Sequence, residues 1–97
     1  MKLETANDGL VIVGALDRHN LVNKQQFRFP KLTSDSVKIN LKRAEPIDTA
    51  GLAWILKCVA FYQECGKETS ILNAPEQLIA LAELSNVLGL LPLRQAD

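Results

Sequence analysis

Long apolar runs are missing from this sequence. No stretch approaches the ~20 residues that cross a bilayer, and Met1-Lys2-Leu3-Glu4-Thr5 lacks the apolar centre of a signal peptide. The expectation is a cytoplasmic chain with no direct membrane insertion, reaching the inner-membrane face only through a partner. Net charge is absent too, since 11 basic and 11 acidic residues cancel. Nucleic-acid binders draw most of their affinity from neutralised phosphates, so this balance argues against nucleic acid. Lys24, Arg28 and Lys31 lie close together and read as a solvated helix end.

Histidine occurs once, as His19, and no Ser-His-Asp order or Cys-His pairing can be assembled around it. Neither Gly14 nor Gly51 belongs to a glycine-rich phosphate loop. The rigid Pro46 separates Glu45 from Asp48, which leaves no paired carboxylates. The chain is therefore not expected to be an enzyme, and no cofactor is implied. Cysteine is limited to Cys58 and Cys65 within one helical pattern. Seven residues of helix rise about 10 Å, beyond the ~7 Å between Cα atoms that a disulfide tolerates. No histidine accompanies them at metal-ligand spacing, so both read as small packing residues and no metal site is expected.

What is present fits one domain spanning residues 1–97. Leu3 to Thr5 can open a strand, Asn7-Asp8-Gly9 is a turn, and the β-branched Leu10-Val11-Ile12-Val13 is a second strand. Asn20 to Phe27 reads as a helix and Pro30 to Ser36 as a polar connection. Val37-Lys38-Ile39-Asn40-Leu41 alternates with period two, the mark of a half-buried strand, and Lys42 to Pro46 is a polar loop. From Thr49 to Glu64 the pattern turns helical, with Leu52, Ile55, Leu56, Val59 and Tyr62 at spacings of three and four. Gly66 stops that helix. Thr69 to Leu72 is a short strand, and Pro75 suits the first turn of a helix carrying Leu78, Ile79, Leu81, Ala82 and Leu84. Leu88 to Leu93 forms an apolar tail, read as a last helical turn on the core. Strands separated by helices imply parallel pairing with right-handed crossovers.

One stretch carries more than structure: Glu45-Pro46-Ile47-Asp48-Thr49-Ala50-Gly51-Leu52, at the entry to the longest helix. Asp48 or Thr49 can act as the N-cap. No Glu or Gln follows three residues later, so there is no capping box. Gly51 in the first turn costs about 1 kcal/mol against Ala, and something should offset that. Thr49, Ala50 and Gly51 leave the helix start sterically bare, open to an anion or to a partner's backbone. A phosphate on the Thr49 hydroxyl would be favoured by the helix dipole and opposed by Asp48. An ordinary helix cap explains the same residues.

Ile47-Asp48-Thr49-Ala50-Gly51-Leu52, preceded by the strand Val37 to Leu41, resembles the signature of STAS domains, typified by bacterial anti-sigma-factor antagonists. Gly14-Ala15-Leu16-Asp17 is similar to the Gly-x-Leu-Asp that follows the family's second strand, and the leucine-rich end agrees as well. The resemblance implies an α/β fold: a single STAS domain, a four- to five-stranded mixed sheet with helices mainly on one face, in the order β-β-α-β-α-β-α. It implies one of two functions. The first is the MlaB-type STAS subunit, which docks on and regulates or stabilises the ATPase subunit of an ABC phospholipid transporter maintaining outer-membrane lipid asymmetry. The second is an anti-sigma factor antagonist switched by phosphorylation of Thr49 by its anti-sigma factor kinase. The short chain, the Asp48-Thr49 pair and the leucine-rich end look more like the first. Asn40 stands where the family often has Asp, which removes a group that could help order a phosphate and weakens the second.

The partner-binding residues implied are Asp48, Thr49, Ala50 and Gly51, with Trp54 as a further candidate. Trp54, Cys58, Phe61 and Cys65 cluster on a different side of the helix from Leu52, Ile55 and Val59. Trp is usually largely buried, so packing under a neighbouring segment is one reading of Trp54. An interface anchor is the other, and it requires an exposed ring.

Overall fold

The computed structural model describes residues 1–22 and 24–94, and only the backbone of Lys24. The turn at Asn7-Asp8 folds β1 (Lys2–Ala6) back antiparallel on β2 (Gly9–Val13). β3 (Ser36–Arg43), β4 (Glu68–Leu72) and β5 (Leu93–Arg94) then add in parallel, so the sheet runs β1-β2-β3-β4-β5. The parallel steps arise because the connection between β2 and β3, then α1 (Thr49–Glu64) and α2 (Glu76–Leu84), return the chain to the same end of the sheet.

The period-two pattern decides which face is covered. Leu10, Ile12, Val37, Ile39, Leu41 and Ile71 are all buried, while Val11, Lys38 and Asn40 between them turn to the more open face. Against the buried face α1 sets Leu52, Ile55, Cys58 and Val59, and α2 sets Leu78 and Ala82. Gly66 takes a positive φ of 79°, letting Gly66 N–H bond Gln63 O and Lys67 N–H bond Tyr62 O, which closes α1. The expected α/β architecture and element order are found, with a mixed five-stranded sheet and helices on one face.

Four local expectations change. Asn20 to Phe27 contains only a 3-10 helix at Lys24–Phe27; Asn23 lies outside the described residues. The third strand runs on to Arg43, and Ala44 in the expected polar loop is buried. The apolar tail turns once at Leu88–Leu90, buries Leu91, and then pairs as β5. Cys65 is exposed rather than packed; it is the C-cap residue, just past the end of α1 at Glu64.

Trp54 is the larger correction. Its ring is fully buried, so it offers no exposed anchor. The segment after the 3-10 helix lies across α1 and is tied to it by side chains of α1 and the residues just beyond it. Trp54 Nε1 donates to Gln26 O at 2.6 Å, Tyr62 Oη to Pro30 O at 2.6 Å, and Lys67 Nζ to Ser34 O at 2.7 Å. Phe29 wedges beneath, its ring centroid 5.4 Å from Trp54 and 5.5 Å from Phe61. Amphipathic aromatics bury their rings and hand their single polar atom to a backbone carbonyl, which holds a segment that has little regular structure of its own.

Burial pushes the Cys58 thiol up to about 12. In the native protein a maleimide is expected to label Cys65 alone, and both thiols are expected to react in denaturant. Peptide mapping of the labelled sites checks this.

Candidate docking site at the Asp48–Thr49 turn

Two loops meet at one end of the sheet. Gly14, with φ 95°, carries β2 out of the sheet while its N–H bonds Arg43 O at 2.9 Å. Leu16 then pairs in parallel with Ile47: Leu16 N–H bonds Pro46 O at 2.9 Å and Asp48 N–H bonds Leu16 O at 3.1 Å. Both side chains, Leu16 and Ile47, are buried. The helix start is thus tied directly to the loop that follows β2.

Gly51 explains itself here. It is buried, and a Cβ at this position would overlap the Leu16 carbonyl oxygen and press on Ile47 Cγ2. The residue that seemed to leave the turn bare for a partner instead lets the Leu16 backbone cross over α1. Gly51 is therefore withdrawn from the exposed docking set. The same reasoning applies to Gly9, where a Cβ would overlap Lys38 O in the neighbouring strand.

Asp48 is the N-cap, and both its oxygens are occupied. Oδ1 accepts from Gly51 N–H at 3.1 Å and Oδ2 from Arg18 N–H at 3.0 Å. Partial burial works against its charge, but the amides of Arg18, Gly51 and Ala50 outweigh it and hold its pKa below the ordinary carboxylate value. Asp17 organises the neighbouring loop in the same way. Its Oδ1 accepts from Asn20 Nδ2 at 2.7 Å and from the amides of Asn20 and His19, and the Asn20 side chain foremost holds its pKa down. From across the core, Gln77 of α2 accepts the Ile47 N–H at 2.9 Å.

The result is a shallow depression of about 410 Å³ whose rim includes Asp17, Arg18, His19, Pro46, Thr49 and Gln77. Thr49 is exposed in it, and among the described residues its hydroxyl has no hydrogen-bond partner. Ala50 is half-buried beside it. The structure therefore brings Asp48, Thr49 and Ala50 together at the turn, sets Gly51 beneath it, and removes Trp54 to the core. Asn40 is elsewhere: on the open sheet face its Oδ1 accepts from Lys42 N–H at 2.9 Å and Asn73 Nδ2 at 3.1 Å. Sequence reasoning missed Arg18, Leu16 and Gln77. Gly14-Ala15-Leu16-Asp17 was a local signal for Leu16, with Arg18 just beyond it, but nothing local announces a glutamine reaching from another helix.

No protein-family model matches the chain, and no curated protein matches its sequence. Solved structures do match in shape. The anti-sigma factor antagonist SpoIIAA, in its unphosphorylated form, superposes with a TM-score of 0.64 at 17% identity, covering 99% of this chain and 87% of that one. The solution structure of TM1081 gives a TM-score of 0.67 at 17% identity, covering 97% of this chain and 79% of that one. The chain has the STAS fold of SpoIIAA.

Two outcomes follow. Gly51→Ala gains about 1 kcal/mol of helix propensity but forces the Leu16 backbone off α1, so a net loss of roughly 1–3 kcal/mol is expected in denaturant melts. Because the folded-state pKa of Asp48 is depressed, its contribution is present at neutral pH and is lost as pH falls through that folded pKa. Asp48→Asn keeps a capping oxygen without the titration, so the Tm of the variant should fall less steeply than that of the parent as pH drops below about 4.

Proposed function

We propose that this chain is a non-catalytic cytoplasmic docking subunit, which binds a partner protein through the Thr49 turn and the exposed face of α1 that runs on from it. The observation that carries the reading is the exposed Thr49, its hydroxyl without a partner among the described residues, at the head of a small-residue face. At about 100° per residue, Thr49, Ala53, Leu56 and Ala60 fall on one stripe, of which Thr49, Ala53 and Ala60 are exposed and Leu56 is half-buried. Small side chains let a partner's backbone come close, and Lys57 beside the stripe leans back over the Phe27 ring at 5.0 Å. Asp48 is committed to capping with both oxygens, and the exposed hydroxyl of Thr49, which among the described residues has no hydrogen-bond partner, is a polar group open to a partner at the turn.

The partner class rests on the sequence resemblance. The ATPase subunit of an ABC phospholipid transporter that maintains outer-membrane lipid asymmetry is our first reading, with this chain regulating or stabilising it. It would hold the chain at the inner-membrane face without insertion, which accords with the absence, among the described residues, of any helix long and apolar enough to cross a membrane.

A second reading has its own support. SpoIIAA, whose shape this chain shares, is an anti-sigma factor antagonist described in its unphosphorylated form. Here Thr49 would be the phosphorylated residue and an anti-sigma factor kinase the partner. Asn40, where the family often has Asp, is engaged with Lys42 N–H and Asn73 Nδ2.

Thr49→Glu places a carboxylate in the middle of the contact. Co-purification with the transporter ATPase is expected to fall at least about tenfold, while the circular dichroism melt stays within about 0.5 kcal/mol of the parent, as for an exposed substitution. Undiminished co-purification overturns the docking reading. A kinase-dependent phosphate on Thr49, detected by mass spectrometry, selects the second partner class.

A further inference from the structure

The outer edge of the sheet is open. β1 is an end strand, and Lys2, Glu4, Thr5 and Ala6 are exposed with Leu3 half-buried. The direction of its backbone groups follows from the next strand. Lys38 N–H bonds Asp8 O across to β3, so by alternation Leu10 and Ile12 turn their backbone groups toward β3, and Gly9, Val11 and Val13 turn theirs toward β1. Their partners Ala6, Glu4 and Lys2 are then the hydrogen-bonded residues of the hairpin. Leu3 and Thr5 aim N–H and C=O outward, and among the described residues no hydrogen bond meets them. Soluble proteins usually blunt such an edge with proline, a bulge or like charges. β1 has no proline, the irregularity of this sheet lies between β2 and β3, and the two charges on the strand are opposite in sign.

That sign pattern selects an occupant. We propose that the β1 edge pairs antiparallel with β1 of a second copy of this chain, centred on Leu3. An antiparallel edge pair must set outward-bonding residues against outward-bonding residues or inward against inward, which limits the two-fold axis to Leu3, Glu4 or Thr5. Centring on Glu4 puts the two Glu4 carboxylates face to face, and centring on Thr5 leaves Glu4 opposite Ala6 and carries Lys2 past the strand end to Asp8 of the turn, which already pairs with Lys38. Centring on Leu3 puts each Lys2 opposite the other copy's Glu4, at the closer, non-hydrogen-bonded spacing, and exchanges both backbone bonds between the two Leu3 residues. Glu4 is already extended over the open sheet face by Arg43, whose Nη1 lies 3.3 Å from its Oε1. The half-buried Leu3 side chains meet on the core side.

The other edge of the sheet cannot do this, since β5 has two residues. The shared sheet has ten strands with both helical layers on one side. Because the paired β1 strands run in opposite directions, the two Thr49 turns emerge at opposite ends of it, both open. The inference does not depend on what binds at Thr49.

Sedimentation velocity of the untagged protein tests it. A contact this short belongs with small, reversible interfaces, and a monomer–dimer equilibrium with a dissociation constant of roughly 10–100 μM is expected. Lys2→Glu should weaken it about tenfold, and the charge swap Lys2→Glu with Glu4→Lys, made together with Arg43→Glu so that the residue beside position 4 keeps the opposite sign, should restore it, since opposite signs face each other again. Thermal melts of each variant report the monomer's own stability separately. A protein that stays monomeric at ~1 mM, well above that range, overturns the proposal. So does a dimer indifferent to Lys2→Glu, or one that the swap fails to restore.

Discussion

The crossing of Leu16 over the start of α1 is the contact on which the rest of this structure depends. Here two chain segments some thirty residues apart exchange backbone hydrogen bonds, and the helix that covers the sheet begins directly beneath them. Backbone-to-backbone approach of this kind leaves no room for a side chain, so Gly51 is required by the geometry. Its cost in helix propensity is offset by burying Leu16 and Ile47 and by pairing the Leu16 N–H and C=O with Pro46 O and Asp48 N–H. Asp48 then fastens the junction twice, to the first turn of α1 and to the amide of Arg18.

The rigidity of this junction shapes what the surface can offer. A carboxylate that accepts two amides is committed to holding the turn, and Asp17 is committed in the same way to the loop beside it. The hydroxyl of Thr49, which has no partner among the described residues, is left facing solvent on a frame that does not need it. A residue so placed can be contacted or modified without disturbing the core. The stripe through Ala53, Leu56 and Ala60 extends the surface in a direction set by the helix, not by the aromatic cluster.

Aromatic residues serve the opposite end. Trp54 and Tyr62 face away from the stripe and fasten the segment from Gln26 to Pro30, with Phe29 filling the space between rings. A segment with only one 3-10 turn lacks a backbone ladder, so its order derives from side chains donated by the helix. Burial of these rings supplies much of the core that a chain of this size otherwise lacks.

Local patterns in the sequence were enough to determine the strands at Leu10–Val13, Val37–Leu41 and Thr69–Leu72, the two helices, their order, and the turn at Asp48 and Thr49 as the place of interest. Periodicity and capping act over a few residues, and those distances are visible in one dimension. Only the tertiary structure decided that Trp54 is buried, that Gly51 serves a backbone crossing, and that Gln77 reaches Ile47. Each depends on which segment lies across another. A helix with apolar residues around most of its circumference does not declare which side meets the sheet, which meets a crossing segment and which meets water; the long-range hydrogen bonds to Gln26, Pro30 and Leu16 settle that.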